Sequence, residues 1–193
     1  SGFLAIRCVQ GASEEAREPS LQSLLLCSCD SSQCRRAPLP RAAAPLSMKQ
    51  VHKSVLIWYS PQEMFTLVTD VDRYPEFLPW CDHARVLEQA QESMVAEVGI
   101  AMGGIRQTFV TRNTHEAGRR VQMQLVKGPF SRLNGDWHFD PLGDGSERAA
   151  RVKLQLDYGF DNAALAALVG PVFDRIAGTM VDAFVKRAEQ VYG

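Results

Sequence analysis

Few side chains in this sequence could do chemistry, and two pairs of them are close enough along the chain to work together. Cys81 and His83 offer a thiol and an imidazole, the combination used in nucleophilic catalysis or metal binding. Asp136 and His138 offer a carboxylate and an imidazole on one face of a strand. We expect the first pair to point to opposite sides of the chain and the second to be exposed on a sheet. Neither pair therefore favours a catalytic centre.

The other candidates do not make a site either. His52 and His115 have no evident partner in the sequence. Gly103-Gly104 is the nearest approach to a glycine-rich phosphate loop, and a tight hairpin already explains it. We therefore predict that the chain is not an enzyme and that it has no catalytic residues and no metal site.

Residues 1–47 differ in composition from the rest of the chain. They hold four of the five cysteines, lack lysine and methionine, and end in a run rich in proline and alanine, whereas Met48 directly precedes the first strand-like segment. We expect the native start at Met48, with residues 1–47 as a disordered upstream or expression-derived extension. A mitochondrial targeting peptide is the alternative, which the glutamates of this segment disfavour. The spacing Cys27-x-Cys29-x4-Cys34 is not a standard zinc pattern.

Composition sets broad limits on function. Hydrophobic residues make up 46% of the chain and charged residues 22%, as in ordinary globular proteins. A net charge of -1 argues against a general polyanion binder. The charge is uneven, however, because residues 60–100 carry eight acidic and two basic side chains, whereas residues 104–153 carry nine basic and five acidic ones. One part of the surface could therefore meet phosphate groups, although solvated sheet faces often carry such residues.

The longest regular pattern of apolar residues lies at the C-terminal end of the sequence. From Asp161 to Tyr192 they recur every three or four residues, which predicts one long amphipathic helix. We expect Asp161 to cap its start and Gly170-Pro171 to bend it, leaving a short first segment and a long second one from Pro171. Burial of about ten apolar side chains, at roughly 1.5 to 3 kcal/mol each, would make this helix a major part of the core.

A period of two in the middle of the chain predicts the surface that this helix covers. The chain from Lys49 to Trp58 is typical of a strand, and Ser60-Pro61-Gln62-Glu63 forms a capping box that opens a short helix. Alternating segments then follow, separated by glycine-containing turns. With a weaker strand near Arg85 to Gln91, the predicted order is one strand, two short helices, six strands in a meander and the long helix. This is an α+β fold with an antiparallel sheet of about seven strands.

Three motifs in this order resemble those of the coenzyme Q-binding and RatA family. They are Tyr74-Pro75-Glu76-Phe77-Leu78-Pro79-Trp80-Cys81, then Gly128-Pro129-Phe130 with Leu133 and Trp137-x-Phe139, then Gly170-Pro171-Val172-Phe173 leading to Met180-Val181-Asp182-Ala183-Phe184. That family belongs to the START-like, helix-grip superfamily, often labelled polyketide cyclase/dehydratase. The resemblance covers Met48 to Gly193. It implies a START-like lipid-binding domain whose curved sheet wraps around the C-terminal helix.

The resemblance implies two different functions. One branch binds ubiquinone or a related polyisoprenoid lipid and supports respiratory electron transport as a quinone chaperone. The other is a ribosome-association toxin that binds the large ribosomal subunit and blocks subunit joining. An apolar space between sheet and helix favours the first, and the basic balance of residues 104–153 favours the second. We predict ubiquinone binding without chemistry, with ribosome association as the alternative and a polyketide cyclase-like enzyme as a minor one.

The predicted contacts with such a ligand come from the motif segments, the sheet and the helix. The segment from Tyr74 to Cys81, which two prolines interrupt, is the best candidate for a lid. Aromatic residues in such a segment are expected to close the mouth of the apolar space. Lys127 could meet a quinone oxygen or a phosphate, or could be a solvated strand end, and the sheet and helix aromatics could equally be core. The full set is Tyr74, Phe77, Leu78, Trp80, Lys127, Phe130, Trp137, Phe139, Phe173, Ile176, Met180 and Phe184.

The resemblance also guides expectations about cofactors and location. No cofactor is expected besides ubiquinone as a bound ligand. No apolar run approaches the roughly 18 residues of a membrane span, so we expect a cytoplasmic protein. Peripheral contact with the inner membrane is expected through the loop around Phe77 and Trp80. The sequence does not fix the oligomeric state.

Overall fold

Seven antiparallel strands form one sheet in the computed structural model, which describes residues 48–145 and 147–193. The expectations about residues 1–47 and their cysteines lie outside the described residues. In space the strand order is β1-β7-β6-β5-β4-β3-β2, so the predicted six-strand meander is confirmed and β1 pairs with its last strand. The strands are β1 Lys49–Ile57, β2 Cys81–Gln89, β3 Ser93–Met102, β4 Ile105–Glu116, β5 Arg120–Lys127, β6 Phe130–Pro141 and β7 Ala150–Phe160.

The sheet has one buried face because its strands alternate as the sequence predicted. In β7, Val152, Leu154 and Leu156 are almost fully buried, while Arg151 and Gln155 on the other face are exposed. Strand β2 begins at Cys81 rather than near Arg85, so the predicted start of this strand is wrong. The hairpin between β3 and β4 turns at two glycines with φ of 59° and 80°, as a two-residue turn with positive φ requires.

Two short helices and a 3₁₀ turn follow β1. Helix α1 spans Pro61–Thr69, the 3₁₀ turn spans Val71–Arg73 and helix α2 spans Tyr74–Phe77. The predicted capping box is confirmed, since Ser60 N donates to Glu63 Oε2 at 2.7 Å and Glu63 N donates to Ser60 Oγ at 3.3 Å.

Helix α3, Ala163–Tyr192, is continuous, so the predicted division at Pro171 is wrong. Asn162, rather than Asp161, caps it, and its Oδ1 accepts a hydrogen bond from Leu165 N at 2.9 Å. Contacts just beyond the proline hold the helix on the sheet, because the Asp174 carboxylate pairs with Lys49 on β1 and accepts a hydrogen bond from the Tyr158 hydroxyl on β7.

Within the described ranges, α3 is the one helix whose length and composition would also allow a membrane span. Here it serves as a core helix, with eight of its residues buried. Buried apolar side chains form two clusters along it, one including Trp80, Phe130 and Phe173 and the other including Trp137 and Phe184. The two clusters meet where α2 crosses α3.

Candidate functional site

An apolar cavity of about 50 Å³ lies between the inner face of the sheet and α3, at the junction of the two core clusters. The α2 segment, five strands and α3 all contribute to its wall. Eight of the predicted contact residues lie on that wall, namely Tyr74, Leu78, Trp80, Trp137, Phe173, Ile176, Met180 and Phe184. The fold therefore brings residues far apart in sequence to one apolar space.

The other four predicted contact residues are not on the cavity wall. Phe130 is buried against Phe173, with ring centroids 4.8 Å apart, and Phe139 lies beside Phe65 at 6.1 Å. Phe77 lines a groove outside the cavity, and Lys127 lies at the exposed end of β5. Core packing explains the two buried phenylalanines, and a solvated strand end explains Lys127.

Two polar residues of the wall were missing from the sequence prediction. Thr111 and Asn113 lie on the inner face of β4, with only 3% and 5% of their surfaces exposed. No hydrogen-bond partner for Asn113 Oδ1 exists among the described residues. Strand β4 carries polar residues on both faces, so alternation did not reveal which of them point inward. The remaining signal was that the twelve residues of β4, next to an apolar strand, include three threonines and an asparagine.

Two tyrosine hydroxyl groups near the cavity have partners within the protein. The Tyr74 hydroxyl donates to the carbonyl oxygen of Val68 at 2.6 Å, and burial raises its pKa above the ordinary value. Burial also raises the pKa of Tyr158, and its bond to Asp174 adds to this effect. Both phenols therefore stay protonated at neutral pH.

Cys81 and His83 do not form a catalytic pair. Cys81 opposes Ile100 on the inner face, His83 opposes Gly99 on the outer face, and a register shift separates them. Residues two apart in a regular strand would share a face, so this irregularity rather than strand alternation sets them apart. Burial raises the pKa of the Cys81 thiol to about 11, which keeps it protonated and unreactive at neutral pH.

Asp136 and His138 form a surface ion-pair cluster with Arg120. His138 Nε2 lies 3.1 Å from Asp136 Oδ1, and Arg120 Nε donates to the same oxygen at 2.8 Å. Partial burial alone would raise the pKa of Asp136, but Arg120 and His138 hold it below its ordinary value. Over the residues that the structure describes, no group of three or more histidine, cysteine or acidic side chains is placed to hold a metal ion.

A groove of about 510 Å³ runs on the surface between the α2 segment and the C-terminal half of α3. Trp80 lines both this groove and the cavity, so its indole forms the wall between them. Arg187 of α3 bonds to Glu76 at 2.6 Å, and its guanidinium lies over the Phe77 ring, 5.3 Å from the centroid. These contacts hold α2 on α3 beside the cavity.

The basic side chains of residues 104–153 are partly neutralised by nearby acids. Arg106 pairs with Asp82, Arg120 with Asp136, Arg148 with Glu63 and Lys153 with Asp140, as the ion pairs of 2.5 to 3.1 Å show. Arg112, Arg119 and Arg132 are exposed and make no ion pair within the described part of the chain. Lys127 and Arg151 are likewise exposed and without an ion pair in the described ranges, so these five are the basic residues of the region most available to a phosphate backbone.

Comparison with known families agrees with this architecture. The sequence profile described as polyketide cyclase/dehydrase and lipid transport matches residues 57–185. The chain belongs to this family. The aromatase/cyclase Zhui of a Streptomyces species has the same fold, with a TM-score of 0.66 at 17% identity, over 75% of this chain and 95% of that one. The predicted START-like, helix-grip fold is thus confirmed.

Two relatives within the family match the two branches. The ribosome association toxin RatA of Vibrio cholerae serotype O1 is 45% identical over 146 residues, which are 76% of this chain and 99% of that protein. The mitochondrial coenzyme Q-binding protein homolog B of Xenopus laevis is 25% identical over 189 residues, or 90% of this chain and 78% of that protein. The predicted resemblance to the coenzyme Q-binding and RatA family is confirmed. One relative is named as a toxin and the other as a binding protein.

Proposed function

We propose that the domain of residues 48–193 binds ubiquinone, or a lipid of the same chemical class, between its sheet and α3 without reacting with it. The enclosed cavity carries this proposal, because its wall is almost entirely apolar and combines aromatic side chains from three parts of the fold. Removing apolar ligand surface from water stabilises a complex by about 25 cal/mol per Å². The groups with reactive chemistry lie elsewhere or are held protonated, so the proposed function is non-enzymatic.

Ligand binding in this cavity requires a local opening. The cavity measures about 50 Å³, whereas an engineered cavity that binds benzene measures about 150 Å³. Trp80 is the wall toward the groove, and the four-residue helix α2 is held there by the Glu76–Arg187 ion pair. We place the quinone ring in the enlarged cavity and the isoprenoid tail in the groove, where Phe77 and Ala183 offer apolar surface.

Binding of a short-tailed quinone tests this function. The full chain should bind decylubiquinone saturably in isothermal titration, with a negative heat-capacity change from apolar burial. Solvent extraction of purified protein followed by mass spectrometry should identify a co-purified polyisoprenoid quinone. Protein that is folded, carries no lipid and shows no saturable binding would contradict the proposal. A chaperone role further implies a cytoplasmic protein whose α2 segment contacts the inner membrane peripherally.

A second proposed function is association with the large ribosomal subunit. The observation that favours it is the 45% identity to a ribosome association toxin over 99% of that protein's length. Exposed arginines without an ion pair, such as Arg119, would supply salt-dependent phosphate contacts.

Co-sedimentation with large subunits over a range of salt concentrations tests the second function. Arg119→Gln should weaken binding and lower the salt slope by about one, the contribution of one phosphate contact. Arg175→Gln, which neutralises an exposed arginine on α3, is the matched control and should bind like the wild type. Absence of co-sedimentation at low salt would contradict this second proposed function.

A further inference from the structure

Asn113 occupies an unusual position for a polar side chain. It lies on the inner face of β4, between Met94 of β3 and Met123 of β5 in the strand register. Only 5% of its surface is exposed, it lines the cavity, and its Oδ1 finds no hydrogen-bond partner in the described ranges. Thr111, two residues earlier, lines the same cavity between Ala96 and Leu125. Both polar residues thus sit in apolar surroundings.

Packing gives no reason for an amide at this position. Leaving a buried amide oxygen without a hydrogen bond destabilises a fold, and a leucine of similar size would avoid that cost. Asn113 lines the space that a ligand would occupy, so a half-turn of its amide brings either polar atom toward that space. A polar group that is unsatisfied within the protein and lines a cavity is well placed to meet a polar group of a ligand.

We propose that Asn113, with the Thr111 hydroxyl beside it, is the polar anchor that selects ligands carrying a carbonyl or hydroxyl oxygen on an apolar body. This inference rests on the proposed binding function. The amide offers N–H donors and a carbonyl acceptor, and a half-turn about its terminal bond exchanges them. It can therefore donate to a quinone carbonyl or accept from a hydroquinone hydroxyl. The site would then hold both redox forms of a quinone lipid without oxidising or reducing either.

His115 is not part of this anchor, although it follows on the same face of β4. Its Nε2 is also buried without a hydrogen-bond partner in the part of the chain described here, but the residue is not on the cavity wall. Its ring instead meets Phe65 edge-on, with centroids 5.9 Å apart.

Titration of full-length variants with three probes tests the anchor. The probes are decylubiquinone, its hydroquinone and decylbenzene, which has no oxygen. Asn113→Leu should bind both oxygenated probes about tenfold more weakly, the effect of one lost hydrogen bond, while decylbenzene binding is kept or strengthened. Its ligand-free melting temperature should not fall, because an unsatisfied polar group has been removed. Met94→Leu, next to Asn113 in the register, is the matched control and should bind all three probes like the wild type.

A second variant tests the dual hydrogen-bonding role. Asn113→Asp keeps the shape and, at a pH above the pKa that burial raises, its carboxylate only accepts, so in that pH range it should lose more affinity for the quinone than for the hydroquinone. A purely structural role would change both affinities equally. Equal binding of decylubiquinone by the wild type and Asn113→Leu would contradict the anchor role of Asn113 but not the proposed binding function. No binding of any probe by the wild type would overturn both.

Discussion

Trp80 shows how a single side chain separates an internal space from the surface. Its indole is 4% exposed, yet it borders both the cavity and the groove. It follows two prolines in a segment that the sequence predicted to be a lid, and its position is consistent with that hypothesis. A side chain that fills a boundary in this way contributes both to stability and to the rate at which ligands exchange.

Replacing Trp80 should separate these two contributions. We expect Trp80→Ala to lower the free energy of unfolding by about 3 to 5 kcal/mol, because a large buried ring is lost. We also expect decylubiquinone to bind and dissociate faster, because the barrier between groove and cavity is gone. Stopped-flow measurement of both rates, with chemical denaturation for stability, checks the prediction. Trp80→Phe should show a smaller change in each, and exchange rates unchanged in Trp80→Ala would show that ligands use another route.

Asn113 marks the limit of residue-level prediction from this sequence. Five of the six aromatic residues on the cavity wall were predictable because they belong to motifs or to strongly periodic segments, whereas Phe109 of β4 was missed. Asn113 was not, because β4 alternates threonine, arginine, asparagine and histidine without a clearly apolar face. Which face of such a strand points inward depends on its neighbours in the sheet, and that register is a tertiary property.

At the scale of elements, local patterns predicted the existence of helices and strands better than their ends. The capping box and the alternation of β7 are local signals, and both are confirmed. The predicted division into two segments at Pro171 was wrong, since α3 is continuous there and Asp174 ties it to the sheet through contacts that local sequence does not reveal. Similarly, β2 extends back to Cys81 because it pairs with β3.

Arg148 joins three elements near the start of α1. It pairs with Glu63 at 2.7 Å, donates to the Tyr192 carbonyl at the end of α3 at 3.0 Å, and lies over the Tyr59 ring at 5.3 Å. Hydrogen bonds from Arg148 and from Ser60 outweigh desolvation and lower the pKa of Glu63 to about 2 from an ordinary value of 4.5.

The shifted pKa of Glu63 predicts a pH-dependent contribution to stability. Because the folded-state pKa is depressed, this contribution is complete above pH 4.5 and is lost as the pH falls toward 2. Glu63→Gln should therefore be less stable than the wild type at pH 7, and the difference should shrink between these two pH values. Denaturant unfolding of both proteins across this range checks it. A stability difference that stays constant down to pH 2 would show that the charge of Glu63 is not responsible.

At the scale of the whole molecule, the two proposed functions use different parts of the fold. Quinone binding uses the interior between sheet and α3, whereas ribosome association would use exposed arginines such as Arg119 in the turn between β4 and β5. The family profile covers the whole helix-grip domain, so family membership alone does not separate these functions. Variants that alter one region and leave the other intact can do so.

Filling the cavity should abolish one function and keep the other. Met180→Trp adds side-chain volume on α3 where the cavity lies, at a cost of about 1 to 3 kcal/mol in stability from tighter packing. We expect this variant, once circular dichroism shows it is folded, to lose decylubiquinone binding while sedimenting with large ribosomal subunits as the wild type does. Arg119→Gln should bind decylubiquinone as the wild type does but bind large ribosomal subunits more weakly. If Met180→Trp also lost ribosome binding, the two functions would be coupled, because an apolar cavity cannot contact a phosphate backbone directly. The cavity would then act as a control site whose occupant determines whether the outer surface binds.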